Sequence, residues 1–300
     1  MKKLTIVFAL FFSSAIICTD YANAEFNLDT PEKDNVNASF MAEDTASHLK
    51  FQLYGANKKI AVLGGRELYF KGKWGQYQTF AKDYVPKYLY DAGIAFSAFS
   101  QKDSISIYAD SKSDNPYNSL KETDIGLNYY RTIEKWSSGQ GTWLFVLNYS
   151  SRRGFWDNIP IPFVTYRYVS EKFVFMIPFL AQYNFSSQWS VYAQWVPLYL
   201  YKAGISWKPG KKFELEMQNG VLADFFYLAG REQEDETLYM KRSYLKLIPK
   251  WKISDSAELS GNLGWIFRSS FYHGDGYRDE NDKIRTGGGA EFMGNLKIYF

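Results

Sequence analysis

Two histidines, His48 and His273, are the only imidazoles that this chain offers as general bases. A serine hydrolase needs such a base beside its nucleophile, and a single stretch that supplies both is His-x-Ser-Asn-Gly. His48 is followed by Leu-Lys-Phe, and His273 is followed by Gly-Asp-Gly. Because neither histidine has that motif, the sequence predicts no catalytic residues of the Ser–His type.

Several acidic residues follow His273 in the sequence, namely Asp275, Asp279, Glu280 and Asp282. Carboxylates near a histidine could serve a protease, and clustered oxygens could bind a hard cation such as calcium. The spacing matches no complete calcium-binding loop. We therefore interpret this stretch, and the acidic run 232–236, as solvated loops, and we predict no metal site and no cofactor.

Other polar side chains alternate with apolar ones, which is typical of strands with one apolar and one polar face. The segment Ala257–Arg268 shows the pattern most clearly, with Leu259, Leu263 and Trp265 on the apolar face. An apolar exterior and a polar interior are expected of a membrane β-barrel. The candidate interior residues are Glu214, Glu216, Gln218, Glu258, Asn262, Arg268, Glu291, Asn295 and Lys297.

Charged residues inside a barrel have two interpretations. Rings of charge tune the selectivity of a pore for solutes, whereas inward charges also pair across strands without any role in transport. Glu258 and Lys297 are predicted near the same end of adjacent strands, so an ion pair between them is expected. The sequence leaves both interpretations open.

One short element recurs between the predicted strands, with an apolar residue, Ser or Gly, two mostly polar residues, an aromatic residue, any residue and an apolar residue. Ser and Gly favour tight turns. Five such turns predict one edge of a single up-and-down barrel, since membrane barrels have short periplasmic turns and longer outer loops. The copies are Val169–Phe175, Phe185–Val191, Pro209–Leu215 and, more loosely, Phe99–Ile105 and Ile253–Leu259.

The N-terminus has the features of a secretory signal peptide, with Lys2 and Lys3, an apolar core, and Ala22-Asn23-Ala24 as cleavage site. Cleavage would remove the single cysteine, Cys18, and with it any thiol chemistry. The leader has a net charge of +1, so the whole-chain charge of +3 falls to +2. This balance gives no support to nucleic-acid binding.

These patterns predict an all-β protein that forms a transmembrane antiparallel up-and-down barrel of twelve to fourteen strands. We expect a signal peptide over 1–24, a periplasmic segment over 25–48 and the barrel over 49–300. The composition agrees, because aromatic residues make up 19% of the chain while the mean hydropathy is only −0.34. The region 49–80 could hold one wall strand or an inward plug. Residues 173–185 could be a strand pair that bends at Pro178, or one long strand.

The C-terminus alternates Phe292, Gly294, Leu296, Ile298 and Phe300. This pattern resembles the last strand of bacterial outer-membrane proteins, which the barrel-assembly machinery reads in that class. Within the class, the C-terminal half resembles a family of outer-membrane barrels of unknown function. The similar elements are Pro178-Phe179, Trp195-Val196-Pro197 and Lys202–Pro209. The resemblance implies a barrel in outer-membrane lipid and no assigned activity.

From the wide predicted barrel, its polar interior and the lack of a catalytic set, we expect a passive channel or uptake barrel for small solutes. The alternatives are an outer-membrane enzyme that acts on lipid or envelope polymer around His273, and a structural or adhesive barrel. The adhesive barrel would act through the predicted loops 224–237 and 269–285.

Overall fold

A computed structural model describes residues 34–44, 50–79, 84–152, 157–196, 200–231, 237–274 and 280–300. Sixteen antiparallel strands pair with their sequence neighbours, and β1 pairs with β16 to close the barrel. Among the described residues, no helix is long and apolar enough to cross a bilayer. The strands are β1 Asn35–Asp44, β2 Lys50–Leu63, β3 Arg66–Gln78, β4 Tyr88–Phe99, β5 Asp103–Ser113, β6 Asp124–Thr132, β7 Gly141–Ser150, β8 Ile161–Val169, β9 Phe173–Met176, β10 Leu180–Asn184, β11 Trp189–Val196, β12 Leu200–Trp207, β13 Phe213–Phe226, β14 Thr237–Ser254, β15 Ala257–Gly274 and β16 Asn281–Tyr299.

The exterior of the barrel is apolar because alternate residues of each strand point outward. In β15, Leu259, Leu263, Trp265 and Phe267 are between 45% and 53% exposed. Large apolar side chains exposed this widely around a closed barrel are expected in contact with lipid rather than water. The predicted apolar face of Ala257–Arg268 is thus the outer face of the wall.

All five predicted turns lie on one edge of the barrel, together with the start of β1 and the end of β16. We call this the turn edge, and the opposite one the loop edge. Serine side chains stabilise the turns as their composition predicts. The hydroxyl oxygen accepts the main-chain N–H three residues later, as in Ser170 to Phe173 at 3.0 Å and Ser100 to Asp103 at 3.1 Å.

The barrel has more strands than the twelve to fourteen predicted, because three strands rather than one precede Tyr88. Glycines do not end the strands of this region, since Gly55, Gly72 and Gly75 lie inside β2 and β3. At Gly55, a Cβ atom would lie 2.3 Å from Asn37 Oδ1, so this glycine makes room for a neighbouring side chain. Only Gly64 and Gly65 form a turn, with φ angles of 57° and 76°.

The N-terminal boundary also differs from the prediction. Asn35–Asp44, within the expected periplasmic segment 25–48, forms β1 and pairs with both β2 and β16. Its polarity reflects its inner face, where Asn35 and Ser39 are buried. Of the region 49–80, the described residues 50–79 form the wall strands β2 and β3 rather than a plug. The predicted signal peptide 1–24 lies outside the described residues.

Residues 173–185 form a hairpin, the first of the two predicted alternatives. The strands β9 and β10 contain four and five residues and join at Ile177–Phe179, where the Ile177–Pro178 peptide bond is cis. The wall is therefore much lower here than at β14–β16, whose strands contain 18 or 19 residues.

Candidate functional site

The lumen face of the wall is identified by a contact across the barrel. The Nζ atom of Lys112 in β5 lies 2.7 Å from Oδ1 of Asp224 in β13. These strands are eight positions apart in a ring of sixteen, so both side chains point inward. Paired residues of neighbouring strands share a face, and the face alternates along each strand.

Eight of the nine predicted interior residues lie on this lumen face. Glu214, Glu216 and Gln218 share it with Asp224 along β13. Glu258, Lys297 and Asn295 also lie on this face, because the register of β15 and β16 pairs Glu258 with Lys297 and Ser260 with Asn295. The remaining two are Asn262 and Glu291.

Arg268 is the exception, and its predicted inward position is wrong. A β-bulge lies between Ile266 and Ser269, and it shifts the alternation of β15 by one residue. Arg268 pairs with Ser243, the residue between the inward-facing Arg242 and Tyr244. The guanidinium therefore lies on the outer face, and the side chain is exposed.

A polar network surrounds Glu216 in the half of the lumen nearer the turn edge. Lys250 Nζ lies 3.0 Å from Glu216 Oε2 and 3.3 Å from Glu214 Oε1. Gln218 Nε2 donates to Glu216 Oε1 at 2.9 Å, and the hydroxyl of Tyr192 donates to the same carboxylate. Charge and hydrogen bonds are thus matched across β11–β14, as buried ionic groups require.

A second network surrounds Glu291, whose side chain has no exposed surface. Lys246 Nζ lies 2.6 Å from Glu291 Oε1, and Arg242 Nη1 lies 3.5 Å from Oε2. Asn262 Nδ2 donates to Oε1 at 2.8 Å. Two cations from β14 therefore share one carboxylate of β16.

The remaining predicted residues lie near the turn edge. Asn295 accepts a hydrogen bond from Ser39 at 2.8 Å and donates to Ser260 at 3.2 Å, which links β1, β16 and β15. The Nζ atom of Lys297 lies 5.3 Å from the centre of the Tyr299 ring. Glu258 is directly opposite Lys297 in the register, so the ion pair between them stays a prediction.

Nearer the loop edge, opposite walls touch. Besides the ion pair to Asp224, the carbonyl oxygen of Lys112 accepts the main-chain N–H of Tyr227 at 2.8 Å. The Tyr77 ring of β3 packs against Phe226 of β13 edge to face, with ring centres 5.5 Å apart. We call the joining of Lys112 to Asp224 and Tyr227 the cross-lumen contact.

An apolar cluster fills the lumen beside this contact. Its members come from β1, β3, β4 and β13–β15, together with Val85 from the loop between β3 and β4. Residues from opposite walls in one buried cluster show that the barrel is packed, not hollow, at this level. The buried members are Met41, Tyr77, Val85, Leu89, Phe226, Leu238, Met240 and Phe271.

Two loops dock onto each other above the cross-lumen contact. The N–H of Ala229 donates to Asp114 Oδ1 at 2.7 Å. Arg231 Nη1 lies 3.4 Å from Glu122 Oε1, and the two side chains are only 5% and 4% exposed. The loop after β13 is therefore held against the loop after β5 by buried charge.

Exposure along the lumen face changes with depth. In β14, Leu238, Met240 and Arg242 near the loop edge are at most 6% exposed. Lys246 and Lys250, further along the same face, are half-buried. The lumen is thus closed towards the loop edge, and along this face of β14 the side chains become more exposed towards the turn edge.

The sequence analysis did not predict this closure, although the sequence contains a signal of it. Paired apolar residues interrupt the alternation at the loop-edge ends of three strands, at Phe225-Phe226, Leu238-Tyr239 and Phe271-Tyr272. A wall strand with lipid on one side and water on the other alternates, so consecutive large apolar residues indicate burial on both faces.

The residues considered for catalysis do not form a site within the described parts of the chain. The His273 ring packs on Tyr84, with ring centres 4.0 Å apart. Lys283 donates to Glu280 at 2.6 Å and lowers the pKa of that carboxyl. No group of three or more His, Cys, Asp or Glu residues is placed to hold a metal ion in the described segments. His48, Asp275, Asp279 and the run 232–236 lie outside them.

The wall of this barrel is closed and antiparallel, and its number of strands is even. Its exterior is apolar and its lumen is polar, a combination that is typical of bacterial membrane barrels. The fold is that of an outer-membrane β-barrel. No protein-family model and no curated protein matches the chain. Among solved structures, it is similar to an outer membrane channel from Pseudomonas putida F1, with 8% identity and a TM-score of 0.41 over 92% of this chain and 99% of that one.

Two further solved structures are similar to this barrel at lower scores. The NanC porin matches with 7% identity and a TM-score of 0.35, over 89% of this chain and all of that one. A variant of the Rh. blastica porin matches with 7% identity and a TM-score of 0.33, over 89% and 99%. The strand pairing within this chain, and not its similarity to these structures, defines its fold.

Proposed function

We propose that the barrel is an outer-membrane channel or uptake barrel for small solutes. The observation that carries the proposal is the polar half of the lumen nearer the turn edge, where Lys250, the partner of the buried Glu216, is 36% exposed. A barrel stabilised only as a scaffold would be expected to fill this space with apolar side chains. Ionic side chains in this part of the lumen instead supply exchangeable contacts for ions and polar solutes.

Planar-bilayer recordings of residues 25–300 test this function. We expect stepwise currents whose ion selectivity depends on lumen charges. Since the lumen is closed towards the loop edge, the recordings include an Asp224→Asn variant, which breaks the cross-lumen contact. No current steps from either folded protein, judged by heat-modifiable migration on a gel, would overturn the proposal.

We also propose that the turn edge faces the periplasm and that the barrel-assembly machinery binds the C-terminal strand. Phe300 is 78% exposed, and Phe292, Leu296 and Ile298 all lie on the outer face. We expect deletion of Phe300 to lower the amount of barrel in outer-membrane fractions severalfold, while Ile253→Ala, an exposed residue before another turn, leaves it unchanged. Equal amounts of both variants would contradict this recognition.

Export through a cleaved leader is the remaining part of the proposal. The motif Ala22-Asn23-Ala24 places the cleavage before Glu25. Intact mass measurement of the membrane-extracted protein tests it directly. A mass that includes residues 1–24 would contradict cleavage.

A further inference from the structure

We propose that the cross-lumen contact is a gate, so that solutes pass only when Lys112 separates from Asp224 and Tyr227. This inference rests on the proposed channel function. It goes beyond that function by assigning the opening step to the contact between β5 and the end of β13, which lies beside the apolar cluster and must separate together with it.

The cross-lumen contact is not needed to build the wall. Along its length β13 pairs with β14, and from Leu215 to Leu222 it also pairs with β12. Tyr227 lies one residue beyond the last wall pair, Phe226 with Leu238. Its hydrogen bond to Lys112 therefore joins opposite sides of a barrel that is already closed, and it can break while the wall pairing stays intact.

Ion pairs and a hydrogen bond hold the contact, and Asp224 also accepts a hydrogen bond from the Tyr77 hydroxyl at 3.5 Å. Lys112 Nζ lies 2.7 Å from Asp224 and 3.8 Å from Asp91, and the three side chains are nearly buried. A buried ion pair has a net stability set by two large opposing terms, desolvation and attraction. Removing one partner leaves the other charge buried without its counterion, so a single neutral substitution is expected to favour the separated state.

The contact lies in the closed part of the lumen, which continues past it towards the turn edge through the buried Arg242 and Tyr244. Its partners Asp224 and Lys112 are buried, while Lys246 and Lys250 on the turn-edge side are half-buried. On the loop-edge side, Arg231 with Glu122 and Ala229 with Asp114 fix the two loops above it. Separation of these polar contacts would move residues 227–231 away from the loop after β5.

A reversible crosslink tests the gate in the intact barrel. In the mature chain, Lys112→Cys with Tyr227→Cys places two thiols on main chains joined by a hydrogen bond, and loss of free thiol on oxidation reports formation of the disulfide. We expect the oxidised protein to be silent in planar bilayers. After dithiothreitol, the same protein lacks both the crosslink and the ion pair, so its open probability should rise at least about tenfold.

A matched crosslink within the wall is the control. Ser97 and Ser106 face each other on β4 and β5, with their hydroxyl oxygens 2.9 Å apart. Ser97→Cys with Ser106→Cys is expected to conduct equally in the oxidised and reduced states. A neutral variant without cysteines, Asp224→Asn with Arg231→Met, should be open more often than the wild type.

The outcomes separate the gate from the channel. Equal currents from oxidised and reduced Lys112→Cys/Tyr227→Cys would overturn the gate and leave the channel function standing. A silent wild type with a conducting Asp224→Asn/Arg231→Met variant would support both. Absence of current from every folded variant would overturn the channel function, and the gate with it.

Discussion

Lys112 and Asp224 stand on strands at opposite sides of a sixteen-stranded ring, and their charged atoms are 2.7 Å apart. The ends of β5 and β13 therefore come together across the lumen at this depth, where a main-chain hydrogen bond from Tyr227 to Lys112 also joins them. This contact and the apolar cluster beside it determine how stability and permeation are coupled.

Phe226→Ala is expected to weaken the barrel and its closure together. Phe226 has no exposed surface and packs in the apolar cluster against Tyr77. Loss of a buried phenylalanine side chain costs about 3–5 kcal/mol when the cavity stays empty. Urea unfolding in detergent should show this loss of unfolding free energy. Phe292→Ala, on the lipid face, should cost less because detergent fills the space; equal losses would contradict the cluster's role.

Glu291→Gln is expected to destabilise the barrel through its two cations. The carboxylate is fully buried, and Arg242 and Lys246 both approach it. Without its charge, two buried cations lose their counterion, which costs about 3–5 kcal/mol for a buried pair. Glu258→Gln, on the same face but partly exposed near the turn edge, should cost under about 1 kcal/mol. The urea unfolding midpoints of the two variants are compared. Similar shifts would show that the burial of Glu291 has no particular effect on stability.

Glu216→Gln is expected to change selectivity more than stability. The carboxylate itself is buried, but its partner Lys250 is 36% exposed and stays hydrated when the negative charge is removed, so the variant mainly makes the lumen more positive. We expect the ratio of anion to cation permeability to rise by roughly twofold in reversal-potential measurements. Glu134→Gln removes an equal charge at the exposed turn edge, beside Lys102, and should leave the ratio unchanged. A shift as large with Glu134→Gln would argue against a lumen effect.

Gly126→Ala is expected to reduce the yield of folded barrel. A Cβ atom at this position would lie 2.0–2.4 Å from ring atoms of Tyr108, and that ring is buried. The resulting overpacking typically costs about 1–3 kcal/mol. Gly294→Ala meets nothing within 4 Å and should fold normally. The fraction of heat-modifiable protein measures both, and Tyr108→Ala added to Gly126→Ala should restore folding if the clash is the cause.

The sequence predicted those parts of the barrel where one side is lipid and the other is polar. Leu259 and Trp265 alternate with Asn262 and Glu258 as expected, and Ser170 marks a turn by its own hydrogen bond. Local chemistry decides both features, so each can be read from a few neighbouring residues.

Features that depend on distant residues could not be predicted in this way. From the sequence, Gly55 favours a strand end, but its role is to leave room for Asn37, which lies on another strand. Arg268 is an even number of residues from Asn262, so simple alternation predicts that both face inward. The bulge of β15 against β14 and β16 turns Arg268 outward. Lys112 and Asp224 are 112 positions apart, and nothing local links them.

The strands β9 and β10, with four and five residues, span only about 13–17 Å along their length. A bilayer hydrocarbon core is about 30 Å thick. The bilayer at this side of the barrel must therefore become thinner or its lipids must tilt, whereas lipids at β14–β16 contact a wall of full height. The protein thus imposes a directional deformation on its membrane, and the elastic energy of that deformation favours placing the low side next to thin bilayer.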